Sequence, residues 1–137
     1  MAVILGDNTT DASIKPAVET FDKGARVFLK KVPDHARFGV PVFDKNDSSK
    51  VVQILEKPKD PPNDYAVVGL YIYDGTVFDR IEKLKPSDRG ELEVTDLNNS
   101  YIADGLLKWS ELKGFWSDAG TFDSLFRSNE FWANKST

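Results

Sequence analysis

The chain has 137 residues, enough for one compact domain, and its nine Phe and three Trp within a 40% hydrophobic composition suffice for a real core. A net charge of −4 with both signs mixed leaves no clustered Lys and Arg for sequence-independent nucleic-acid binding, and no apolar run reaches membrane-spanning length. Without cysteine there is no disulfide and no thiolate metal site, and the single His35, in the polar stretch Pro33 to Arg37, rules against a multi-His site or a His general base.

Any metal would therefore be held by oxygen, which favours Mg²⁺ over zinc. No basic start leads into an apolar signal core, so the expected location is the cytoplasm.

The first element expected is a strand at Ala2-Val3-Ile4-Leu5, an apolar run closed by Gly6-Asp7-Asn8 and buried on both faces, with no leader before it. Ile14, Ala17, Val18 and Phe21 have helical spacing, with Pro16 tolerable near the start and Gly24 as the stop. Ala25 to Val32 reads as a strand. Gly39 to Phe43 and Val51 to Leu55 read as two strands joined by a polar turn.

After a stiff loop containing Pro58, Pro61 and Pro62, Tyr65 to Tyr73 is the best candidate for a central strand. Val77, Phe78, Ile81 and Leu84 mark a helix stopped by Pro86, and Val94, Leu97 and Tyr101 mark another closed by Gly105. Leu106 to Leu112 reads as a strand. Phe122, Leu125, Phe126, Trp132 and Ala133 form an apolar helical face after Thr121, a suitable N-cap. Strands interleaved with helices indicate an α/β domain, and the tight connection between two strands makes its sheet mixed.

Four places carry polar groups suited to chemistry. Asp7 follows a strand, where ligands of open α/β sheets gather, and reads either as a metal or sugar ligand or as a turn cap. Glu56 and Lys57 would ordinarily point to opposite faces of a strand, but Pro58 can break that alternation and turn both into one cleft. There Glu56 could accept hydrogen bonds from sugar hydroxyls and Lys57 could pair with a phosphate; the other reading is a solvated charge pair. Arg89, before a helix, is either an anion-binding fork or an exposed helix-start residue. Trp116, Asp118 and two glycines cluster just before the last helix. They suit a pocket wall beside a metal ligand, and equally an aromatic plug with a capping Asp.

In order along the chain, Leu5-Gly6-Asp7-Asn8, Arg37-Phe38-Gly39-Val40, Glu56-Lys57-Pro58, Val68 to Asp74, Arg89 to Asp96 and Trp116-Ser117-Asp118-Ala119-Gly120-Thr121 resemble the sugar nucleotidyltransferase family, in its glucose-1-phosphate thymidylyltransferase branch. The resemblance runs nearly end to end. It implies a mixed sheet with flanking helices, part of a Rossmann-like, glycosyltransferase-A-like fold. It also implies a reaction in which glucose-1-phosphate attacks the α-phosphorus of dTTP, giving dTDP-glucose for the dTDP-rhamnose pathway and releasing pyrophosphate.

By that resemblance Asp7 and Asp118 would hold Mg²⁺, Lys57 and Arg89 would act on the sugar phosphate, and Glu56 would bind sugar hydroxyls. Gly39 and the Val68-Gly69 backbone would line the sugar pocket, with Tyr71 and Trp116 nearby. The family's Gly-rich front, which wraps the triphosphate, has no counterpart among the nine scattered glycines. The chain is thus expected to be a single domain, residues 1–137, forming the sugar-phosphate side. It is expected to be inactive alone or to be completed by another chain, and to self-associate through the edge left bare at its first strand. A non-catalytic sugar-phosphate-binding or assembly module and a UTP-dependent relative are the alternatives.

Overall fold

The computed structural model describes residues 1–88 and 90–135. Its main sheet has six strands. Five follow the order β5 (Val51–Glu56), β4 (Gly39–Phe43), β6 (Tyr65–Tyr73), β3 (Ala25–Lys31) and β7 (Leu107–Glu111), and β1 (Ala2–Ile4) pairs with β6 beside β4. Only β3 with β7 is parallel, so the sheet is mixed and mostly antiparallel. The central strand is β6, as its Val, Ile and Tyr content predicts; eight of its nine residues are buried.

Alternation along β6 separates two cores. Val67, Tyr71 and Tyr73 join Val27, Leu29, Ile54, Leu97 and Tyr101 under α2 (Val77–Lys83) and α3 (Val94–Ala103). Val68, Leu70 and Ile72 join Phe28, Leu112 and Trp116, with Ala17 of α1 (Lys15–Glu19). Two elements are not visible in the local pattern. β2 (Asn8–Thr10) and β8 (Trp116–Asp118) form a small antiparallel sheet that pairs Asn8 with Asp118.

Two sequence expectations are corrected here. The first strand is not buried on both faces: Ile4 is 59% exposed, because among the described residues β1 pairs with β6 alone. The last helix, α4 (Phe122–Lys135), forms after Thr121, whose hydroxyl accepts from the Ser124 N–H at 3.2 Å as an N-cap should. It is turned the other way from the expected face. Phe122 and Phe126 are 92% and 68% exposed, and the buried positions are Ser124 and Ser128. Ser128 Oγ lies 2.6 Å from Thr9 Oγ1, and Ser124 Oγ donates to Asp118 Oδ2 at 3.2 Å. Small serines let the helix lie close against β8, where a Phe would hold it away. Phe131 contributes the apolar part of the docking by stacking on Phe115 at 3.9 Å.

Candidate active site

A cleft of about 370 Å³ opens where the small β2–β8 sheet meets the ends of β4 and β5, the middle of β6 and the start of α3. Asp7, Gly39, Glu56, Lys57, Gly69, Tyr71, Trp116 and Asp118 all line it. Five segments of sequence therefore deliver these predicted groups to one place. A larger hollow, about 900 Å³, lies between β5, β7 and the end of α3, but no predicted site residue lines it.

The two aspartates are joined through the backbone. Pairing of Asn8 with Asp118 and donation from the Ala119 N–H to the Asp7 carbonyl at 2.7 Å hold the segments together. Gly120 sits between the side chains. A Cβ built there would lie 3.1 Å from Asp118 Oδ2 and 3.6 Å from Asp7 Oδ2, so the missing side chain leaves the gap into which both carboxylates point. Asp118 is buried, and its Oδ2 accepts from Gly120 N–H at 3.1 Å, Ser124 Oγ at 3.2 Å and Arg37 at 3.0 Å. A second guanidinium nitrogen of Arg37 donates to Asp34 at 2.7 Å. The hydrogen bond with Asp34 first, and that with Asp118 after it, make the guanidinium harder still to deprotonate, against the opposing effect of burial.

Asn8 is the hub of the cleft. Its Oδ1 accepts from Trp116 Nε1 at 2.7 Å and from the Gly69 N–H at 3.0 Å, and its Nδ2 donates to Asp7 Oδ1 at 2.9 Å. Trp116, so oriented, meets the Phe38 ring edge-to-face at 5.3 Å and forms an apolar wall. The absence of a side chain at Gly69 is required for this arrangement, since a Cβ there would come within 2.6 Å of Asn8.

Glu56 and Lys57 do share the cleft. Lys57 takes a left-handed φ of 44°, rare and strained for a residue other than glycine, and this breaks the strand alternation at the end of β5. Its ammonium lies 3.7 Å from Glu56 Oε1, while Glu56 Oε2 accepts from Thr95 Oγ1 at 2.5 Å. Burial above all, then the charges of Glu56 and Asp7, push the Tyr71 hydroxyl well above its ordinary range, so it stays a neutral phenol.

Of the Val68-Gly69 backbone expected there, Gly69 lines the cleft; the Val68 side chain is buried on the opposite face of β6, and Val67, one step along the alternation, lines the cleft beside it. Arg89 lies outside the described residues. Arg37, Asn8, Thr95 and Gly120 were not singled out as site residues from sequence. Arg37 and Asn8 stand inside motifs that carried the resemblance, beside Gly39 and Asp7, and that adjacency was the available signal.

The two carboxylates, the Glu–Lys pair and the aromatic wall thus share one polar cleft on a mixed α/β sheet. The profile of the nucleotidyl transferase family matches residues 1–135, and the chain belongs to that family. It is 42% identical over 139 residues to a glucose-1-phosphate thymidylyltransferase of Neisseria meningitidis, covering 96% of this chain and 47% of the relative. It is 38% identical over 130 residues to the low-salt glycan biosynthesis nucleotidyltransferase Agl11 of Haloferax volcanii, covering 92% and 36%. The chain thus spans less than half the length of these curated relatives.

Among solved structures, a glucose-1-phosphate thymidylyltransferase from Bacillus anthracis, crystallised with sucrose, superposes with a TM-score of 0.87 at 49% identity, covering 96% of this chain and 53% of that one. An apo UDP-glucose pyrophosphorylase shares the fold, with a TM-score of 0.85 at 20% identity, covering 100% and 55%. Among the described residues no helix is long and apolar enough to cross a membrane.

Proposed function

We propose that this chain forms the sugar-phosphate side of a glucose-1-phosphate thymidylyltransferase site. The observation that carries the reading is the convergence of Asp7 and Asp118 on Gly120 in the cleft that also holds Glu56 and Lys57. In the proposed reaction a phosphate oxygen of glucose-1-phosphate forms a bond to the α-phosphorus of dTTP, the bond to the β-phosphate oxygen breaks, and pyrophosphate leaves with the electron pair. Such a transfer rests on positioning and charge neutralisation rather than on a covalent enzyme intermediate.

Each group has a task. The Glu56 carboxylate accepts hydrogen bonds from sugar hydroxyls, with Thr95 holding one of its oxygens in place. The Lys57 ammonium, poised by its strained backbone, binds the sugar phosphate, and Arg89 is assigned to the same phosphate from its sequence motif. Trp116 and Gly39 bound the sugar, with Tyr71 as a neutral donor beside it.

The donor chemistry at Gly120 fits Mg²⁺: two hard carboxylates from the protein leave the remaining positions to water and substrate phosphate, the usual arrangement for this ion. When bound, Mg²⁺ offsets the negative charge that phosphates bring into the cleft. The nine glycines are scattered and form no triphosphate-wrapping loop, so dTTP is expected to depend on residues beyond those described. Self-association belongs to the same proposal. The outer edge of β1 has no partner strand among the described residues, and Phe122 and Phe126 face outward nearby in sequence from the site.

Isothermal titration of the 137-residue chain with glucose-1-phosphate tests the reading. Weak binding that Lys57→Met abolishes supports it, and pyrophosphate release with dTTP and Mg²⁺ is expected only after a Gly-rich nucleotide-binding half is added in trans. No glucose-1-phosphate binding by a well-folded chain overturns it.

A further inference from the structure

We infer that Arg37 is a placeholder cation on the metal carboxylate, a positioning residue that must leave Asp118 before a divalent cation can bind there. This rests on the reading of Asp7 and Asp118 as the metal ligands. The Asp118 side chain is only 7% exposed, and an ionised carboxylate so enclosed needs a counter-charge. Arg37 supplies it, at 3.0 Å, from a segment 81 residues away in sequence. The guanidinium bonds Oδ2, the same oxygen that faces the Gly120 gap, and that oxygen already accepts from Gly120 N–H and Ser124 Oγ. Three donors saturate it. A dication approaching the gap from the Asp7 side meets both an engaged lone pair and a positive charge.

The second anchor of Arg37 makes departure feasible. Asp34 Oδ2 holds the other guanidinium nitrogen at 2.7 Å, and Arg127 also lies 3.8 Å from that carboxylate. The Arg37 side chain is 39% exposed, so it can rotate off Asp118 while staying tethered to Asp34. It also lines the cleft, so the freed cation remains where substrate phosphate arrives. Metal affinity is thereby held down until anionic substrate is present to take both cations. Before that, Arg37 keeps Asp118 aligned.

The test uses Mn²⁺ as the probe on the 137-residue chain without nucleotide, read by electron paramagnetic resonance and by titration calorimetry. Arg37→Met keeps the alkyl stem and removes the charge. It is expected to bind Mn²⁺ about 5- to 10-fold more tightly than the unsubstituted chain, the size of one partly exposed charge-assisted hydrogen bond that no longer has to be broken. Asp118→Asn should abolish the binding. Arg37→Lys keeps a charge but cannot span Asp34 and Asp118 together; a smaller gain of about 2- to 3-fold is expected, which keeps the test alive should the Met variant fold poorly.

Equal or weaker Mn²⁺ binding by both Arg37 variants, with binding still lost in Asp118→Asn, overturns the placeholder role and leaves the metal site standing. Mn²⁺ binding that is indifferent to Asp118→Asn overturns the metal reading and the placeholder role with it.

Discussion

Gly69→Ala is the sharpest perturbation available in the cleft. The added Cβ would meet Asn8 Nδ2 at 2.6 Å, Cγ at 2.8 Å and Oδ1 at 2.9 Å, all below any contact a Cβ tolerates. Asn8 cannot simply step aside. Its Oδ1 holds the Gly69 N–H and the Trp116 indole, its Nδ2 holds Asp7, and its backbone is paired with Asp118. Overpacking a filled site costs about 1–3 kcal/mol, and losing one or two of these hydrogen bonds adds about 1 kcal/mol each. A total near 3 kcal/mol corresponds to a fall in melting temperature of roughly 10 °C for a domain of this size.

Calorimetry measures that fall, and titration with glucose-1-phosphate measures the accompanying loss of the Trp116 wall. The double variant Asn8→Ala/Gly69→Ala isolates the cause: with the obstructing side chain gone, its destabilisation should fall well short of the sum of the two single effects. A Gly69→Ala protein that melts within about 2 °C of the parent would refute the reasoning, because the shift expected from the clash is several times larger.

Lys57→Gly removes the strain of a positive φ, worth about 1–2 kcal/mol in a residue with a Cβ, against a comparable loss in chain entropy; stability should hold or rise slightly while glucose-1-phosphate binding falls, as melting and titration together will read. Asp74 is a buried-edge carboxylate: desolvation raises its pKa, but hydrogen bonds from Thr76, the Gly24 N–H and Tyr101 outweigh that and leave it below its ordinary value. A carboxyl depressed in the folded state stabilises fully above its unfolded pKa and loses that contribution as pH falls through the folded value, so urea midpoints should drop in that acidic window and drop less in Asp74→Asn. Self-association through the bare edge of β1 should appear in light scattering as mass above the monomer, and Ile4→Lys, which places a charge on that edge, should reduce it; a clean monomer at high concentration would refute this.

Most of the secondary structure was legible because its determinants are local. Tyr65 to Tyr73 emerges as a strand with its expected ends, and the Gly39–Phe43 and Val51–Glu56 pair follows from alternation around a polar turn. Helix α3 runs from Val94 to Ala103, ahead of a Gly105 whose φ of 68° suits a stop. The chemistry-bearing residues were legible as types at motif positions, and Asp7, Glu56, Lys57, Trp116 and Asp118 do meet in one cleft.

What the sequence by itself determined is therefore the set of elements and most of the polar groups, since turn residues, periodicity and caps act within a few positions. Tertiary structure decided the rest. β2 and β8 are three residues each, too short to announce themselves, and exist by pairing across more than a hundred residues. Which side of α4 faces inward was settled by the fit of Ser124 and Ser128 against β8 and β2, not by the apolar periodicity that identified the helix. The Val67 side chain faces the cleft and that of Val68 the opposite core because sheet packing assigns the two faces of β6, and alternation alone is blind to which is which. The ion pair between Arg37 and Asp118 joins residues 81 apart, and charges so distant in sequence acquire an interaction only when the fold brings them within contact range and excludes the water that would otherwise screen them.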